Sequence, residues 1–138
     1  MQVHASCAAR DGHGVLLTGV AGSGKSDLLL RLLDQGFTLV ADDRVDIEDG
    51  QARPPPALAG LLEIRGLGIV RMPYAAPVPL ALTVMLGVPD RLPGPAARDG
   101  FGLPVVTVDP AMASAPLRVA AALLCATGRL TQYAGAFA

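Results

Sequence analysis

The chain has 138 residues, enough for one hydrophobic core; 51% of it is apolar and 17% charged, which excludes a disordered chain. A net charge of −1 and an aromatic content of 4% argue against a nucleic-acid surface, which needs a basic face or stacking rings. No apolar run approaches the ~20 residues of a membrane-spanning helix, and Met1–Arg10 lacks the charged leader and apolar core of a signal peptide. The expectation is therefore a cytoplasmic protein with no membrane partner, its two cysteines, Cys7 and Cys125, reduced.

In chain order, Val15–Leu17 is a short apolar run opening into Gly19-Val20-Ala21-Gly22-Ser23-Gly24, which reads as a buried strand ending in a glycine turn. Ser26–Gln35 carries Leu28, Leu29, Leu32 and Leu33 at helical spacing, with Asp27 and Arg31 as an i, i+4 pair and Gly36 as the stop. Phe37–Ala41 is a second strand and ends on Asp42-Asp43. Arg44–Glu48 alternates, and Asp49-Gly50 marks a hairpin turn. After the stiff Arg53–Pro56 comes an apolar loop, Leu61–Gly68, and then strands at Ile69–Met72, Leu80–Leu86 and Val105–Val108, with a long loop at Gly87–Gly102. Leu117–Ala126 is a helix stopped by Gly128, and Gln132–Ala138 reads as a frayed tail. Strands alternating with helices give an α/β fold, taken as one domain over residues 1–138.

Gly19-Val20-Ala21-Gly22-Ser23-Gly24-Lys25-Ser26 fits the phosphate-loop pattern G-x-x-x-x-G-K-[ST]. The glycines let backbone N–H groups converge on phosphate oxygens, and the following helix adds the positive end of its dipole. In such loops the lysine reaches the β- and γ-phosphates of ATP and the serine hydroxyl ligates Mg2+. Lys25 is the only lysine beside ten arginines. A compact ammonium is thus placed at the one position where a broad guanidinium would not fit.

Carboxylates at the end of the second strand, Asp42 and Asp43, can hold Mg2+ or take a proton from an attacking hydroxyl. Strand side chains alternate, so one of the two is expected to face the phosphates, and spacing does not say which. Glu63 and Arg65 share a face of an extended segment, pairing a metal ligand with a cation for transition-state charge, or making a simple surface ion pair. His4 and His13 are the only histidines, and spacing assigns neither a role.

Taken together, these motifs resemble the catalytic domain of the HPr kinase/phosphorylases, which phosphorylate a serine of the phosphocarrier HPr. The resemblance runs from Val3 to about Met72. It rests on His4 standing fifteen residues before Gly19, on the loop itself, on Leu39-Val-Ala-Asp-Asp-Arg-Val45, and on Leu61-Leu-Glu-Ile-Arg-Gly-Leu-Gly-Ile69. It implies a mixed sheet of the HPr kinase/phosphoenolpyruvate carboxykinase-like type carrying the phosphate-loop helix. It implies ATP and Mg2+ as cofactors, an HPr-like partner, Asp42 as acid/base, Ser26 and Glu63 as metal ligands, Lys25 neutralising the phosphoryl group, and His4 at the active site. Asp43 is carried as a further metal ligand and Arg65 as a catalytic cation. Long members of the family are hexamers, and this apolar chain is expected to form a homo-oligomer. The family's Gly-Arg-Asn segment near the last strand is replaced by Ser114-Ala115-Pro116, so phosphorolysis is expected to be weaker than phosphorylation unless Arg118 substitutes. The rival readings are a nucleotide-sensing module without efficient catalysis, and a small-molecule kinase using Arg91 and Arg98 as a lid.

Overall fold

A computed structural model describes all residues, Met1–Ala138. The first strands are β1 (Gln2–Val3), β2 (Ser6–Arg10) and β3 (His13–Thr18). The phosphate-loop helix α1 (Lys25–Leu33) follows, then β4 (Thr38–Ala41), β5 (Val45–Glu48) and β6 (Gln51–Arg53). A single 3-10 turn at Pro56–Leu58 leads to β7 (Leu61–Ile64) and β8 (Gly68–Arg71). The chain closes with β9 (Val78–Leu86), β10 (Val105–Val108) and α2 (Ala115–Ala126).

Eight strands make one mixed sheet in the order β1-β5-β6-β9-β3-β2-β4, with β10 paired to β9. β3 runs parallel to β9, and β9 parallel to β10. β2 is antiparallel to both β3 and β4, so β3 and β4 point the same way and their carboxyl ends share one edge. This is the edge on which ligands of such sheets bind.

Side-chain alternation divides the core between two faces. Val15, Leu17, Ala8, Leu39, Leu82 and Val84 point to the side covered by α1 and α2. Cys7, Ala9, Leu16, Val40 and Ala41 point to the other, where Val45, Ile47, Ala52 and Val78 close over them. Leu28, Leu29 and Leu32 of α1 are fully buried, as the helical spacing predicted.

The structure differs from the sequence reading in three places. The segment Leu61–Gly68 is not a loop: it forms the β7–β8 hairpin, separate from the main sheet, with Leu62 buried against α1's side of the core. Its apolar run was the signal of a strand. The tail does not fray: Phe137 packs on the core, its N–H donates to Gln132 Oε1 at 2.7 Å, and Ala136 O accepts from Ala96 N at 2.9 Å. Helix α2 starts earlier than read, since Ala115 and Pro116 are already helical and buried. Both cysteines are free, and no helix is long and apolar enough to cross a membrane.

Candidate active site

The phosphate loop joins the carboxyl end of β3 to the amino end of α1. Gly24 precedes the helix at φ 102, a region that glycine enters freely and other residues rarely. A β-carbon on Gly19 would stand 2.6 Å from Ser23 Oγ, so any larger residue there would push the Ser23 side chain out of place. Ser23 Oγ itself is buried beneath the loop with no hydrogen-bond partner, and Val20 is exposed on the loop's outer side. The Lys25 ammonium folds back over the loop and donates to Gly19 O at 2.8 Å and Val20 O at 3.1 Å.

The two aspartates part company at the end of β4. Arg44 N donates to Asp42 O at 2.8 Å while Asp43 takes φ 68, a γ-turn of the strained kind in which Asp and Asn are the tolerated non-glycine residues. Asp42 is turned inward and buried. Its Oδ1 accepts from Ser26 Oγ at 2.7 Å and from Ser6 Oγ at 3.0 Å, and its Oδ2 accepts from Glu63 N at 3.3 Å. Asp43 is turned outward, exposed, with its Oδ1 3.7 Å from His4 Nδ1. Of the two, Asp43 is the one that lines the open cleft beside the phosphate loop. Asp42 is held by three donors and is not among the residues lining the cleft.

A cleft of about 610 Å³ opens between these elements. One wall is the phosphate loop and the start of α1, including Lys25 and Ser26. The opposite wall is the β7–β8 hairpin, which contributes Glu63, Ile64 and Arg65. His4 and Asp43 also line it, and so do Asp27 and Leu30 of α1. The size suits a nucleotide with part of a second substrate. Ser26 Oγ and the Glu63 carboxylate are hard oxygen donors on facing walls, and no group of three or more His, Cys, Asp or Glu side chains is arranged to hold a metal ion. That donor set fits Mg2+ shared with phosphates, which is the usual way this ion is bound.

Two groups of residues escaped the sequence reading. Ser6 is fully buried in an apolar strand, where its hydroxyl donates to Asp42 Oδ1 and accepts from Asp43 N at 3.5 Å; a lone hydroxyl in such a run was the available signal. Arg31 does more than pair with Asp27: it also reaches the segment after β10, donating to Pro110 O at 2.7 Å and Met112 O at 3.3 Å. Nothing local in the sequence announces that. Arg118 is exposed on α2, its Nε donating to Ser114 Oγ at 2.8 Å, and it is not among the residues lining the cleft.

Comparison with known proteins agrees with this geometry. A family model described as the HPr Serine kinase C-terminal domain matches residues 1–75. The chain is similar to the HPr kinase/phosphorylase of Lacticaseibacillus casei, 53% identical over 64 residues, covering 43% of this chain and 20% of that protein. It is 51% identical over 63 residues to that of Clostridium beijerinckii, covering 43% of this chain and 21% of the relative. The chain thus spans about a fifth of the length of these relatives. Among solved structures it is similar to the Hpr(Ser) kinase/phosphatase from Coxiella burnetii, with a TM-score of 0.71 and 27% identity, over 94% of this chain and 90% of that one. With the family model matched over more than half its length and the fold shared nearly end to end, this chain belongs to the HPr serine kinase C-terminal domain family.

Proposed function

We propose that the protein is an ATP- and Mg2+-dependent protein-serine kinase acting on an HPr-like phosphocarrier in the cytoplasm. The observation that carries this reading is the exposed His4–Asp43 pair standing in the same cleft as Lys25, Ser26 and Glu63. A sensor needs the loop to bind nucleotide but has no use for a base beside it.

The structure argues for exchanging the roles of the two aspartates. Asp43 takes the proton of the acceptor serine as that oxygen forms its bond to the γ-phosphorus and the bond to the β–γ bridging oxygen breaks, releasing ADP. His4, at its side, orients the carboxylate and stabilises its charge when protonated. Asp42 holds the Ser26 hydroxyl by a short hydrogen bond and fixes the strand after Glu63 N, so it positions the metal-binding groups. Mg2+, when bound, would screen the phosphate charges that the incoming oxygen must approach. Ser26 and Glu63 would hold it, with Asp43 no longer needed as a ligand. The Lys25 ammonium leaves the loop carbonyls for phosphate oxygens, and Arg65 on the hairpin adds charge opposite it.

A homo-oligomer is also part of this proposal. Helix α2 carries one charged residue, Arg118, and leaves Leu117 exposed on its outer side, a face that a second copy would cover. Light scattering at micromolar concentration is expected to give more than a monomer.

The deciding experiment supplies γ-labelled ATP, Mg2+ and an HPr homologue from the same cell. Label is expected on a serine of the homologue with the wild-type chain and not with Asp43→Asn. ATP binding without transfer to any HPr homologue would leave the sensing module as the function.

A further inference from the structure

Ser6 opens β2, two positions beyond His4. β2 lies between β3 and β4, and Cys7 pairs antiparallel with Ala41, so one step further along the ladder Ser6 meets Asp42. Its side chain shares the face of Ala8, toward α1, whose first turn carries Ser26. That face continues as apolar core, so packing alone asks for no hydroxyl at position 6. The hydroxyl, fully buried, is used in both directions. It gives its proton to Asp42 Oδ1 at 3.0 Å, and its oxygen accepts from Asp43 N at 3.5 Å. Asp42 Oδ1 receives a second proton, from Ser26 Oγ at 2.7 Å. A carboxylate accepts and does not donate, so both serines point their protons at it. The lone pairs of Ser26 Oγ are thereby left free, on a residue that lines the cleft. The bonds run in one line, from Asp43 N to Ser6 Oγ to Asp42 Oδ1, where Ser26 Oγ joins them.

Resting on the kinase reading above, we propose that Ser6 is a positioning residue that joins the two halves of the site: one hydroxyl holds both the turn that presents Asp43 and the carboxylate that orients Ser26. Asp43 sits at φ 68, a conformation that a non-glycine residue keeps only when its surroundings hold it. Ser6 grips its backbone N–H, and His4 stands 3.7 Å from its Oδ1, so residues 4 and 6 hold the main chain and the side chain of one aspartate. On the other side, Ser6 fixes the Asp42 carboxylate as the acceptor for Ser26, the hydroxyl that would hold Mg2+. Outer partners of this kind set the orientation of the ligands they touch.

The experiment compares the full chain with Ser6→Thr and Ser6→Val, which match in shape and differ by the hydroxyl, and with Ser6→Ala, which adds no volume. Circular dichroism sets a temperature at which each is folded. Turnover on an HPr homologue is then measured, together with the calorimetric affinity for ATP with and without Mg2+. Ser6→Val and Ser6→Ala are expected to lower kcat at least about 10-fold. They are also expected to shrink the gain in ATP affinity that Mg2+ brings by at least about 3-fold. Affinity for ATP without Mg2+ should change less than about 2-fold, because the loop N–H groups and Lys25 are untouched. Ser6→Thr should stay within about 3-fold of wild type in each measurement. Wild-type kcat and Mg2+ response in folded Ser6→Val or Ser6→Ala overturn the proposal and leave Ser6 a structural hydroxyl. Equal losses in Ser6→Thr and Ser6→Val overturn it too, by assigning the effect to volume. Wild-type protein that binds ATP but transfers no phosphate overturns the kinase reading and this inference with it.

Discussion

Asp42 and Asp43 differ by one position and by everything around them. Asp42 collects two hydroxyls and one backbone N–H, all donors. Asp42→Asn would turn an amide nitrogen toward at least one of them, at a cost of about 1–3 kcal/mol for the unmet group. The expected result is a lower denaturation midpoint and a raised Mg2+ requirement, read from denaturant titration and from activity against Mg2+. Asp43→Asn touches an exposed side chain, so it should leave stability alone, keep ATP binding, and lower phosphoryl transfer by about 10²–10⁴-fold. Nucleotide affinity collapsing in Asp43→Asn would return that residue to the metal. Lys25→Arg replaces a point charge with a fork in a closed loop, and is expected to cut turnover at least ~10-fold, equivalent to about 1.4 kcal/mol. Normal steady-state turnover in that variant would argue against the whole phosphate-loop assignment.

Between elements, the long segment Gly87–Gly102 has little regular structure but is tied down at Ala96, which donates to Ala136 O, and above all at Asp99. Asp99 accepts from Thr83 Oγ1 on β9 at 2.6 Å and, through its other oxygen, from Phe101 N and Leu103 N at 3.0 Å each. Asp99→Ala would strand the buried Thr83 hydroxyl and release the segment. Limited trypsin digestion should then cut after Arg91 and Arg98 faster than in the wild type, and an unchanged rate would mean the loop is held elsewhere. What the sequence made legible follows the same division between local and distant causes. The glycine loop, the Leu28–Leu32 face of α1 and the Asp49-Gly50 hairpin depend on residues close in sequence, and all were readable. The β7–β8 hairpin was half missed because polar Glu63 alternates with buried Leu62 on a short strand outside the main sheet, and Arg65 lies in its turn. The opposite placement of Asp42 and Asp43 depended on a γ-turn, and the Arg31 clamp on a partner 79 residues away. Neither leaves a periodic trace.

Seen whole, the molecule has its least reactive thiol at its centre. Cys7 is fully buried on β2 and burial pushes its thiol up, well beyond the ordinary range. A raised folded value means that this stabilising contribution is complete below the ordinary thiol pKa and is lost as pH climbs toward the folded one, by up to about 1.4 kcal/mol per pH unit. Denaturant midpoints measured from pH 7 to 10 should therefore fall less steeply for Cys7→Ala than for the wild type, and a thiol reagent should label Cys125 first. The strand next to that core, β9, has its own consequence. It starts beside β6 and ends between β3 and β10. Thr18, the last residue before the phosphate loop, bonds Val84 O from 66 residues away. The family match ends at residue 75, before β9 begins, so the recognisable half of the chain holds the phosphate loop but not the strand that steadies it. On a ribosome, nucleotide affinity would arrive late: the loop emerges early and waits for β9, because a contact of such long range is slow to close.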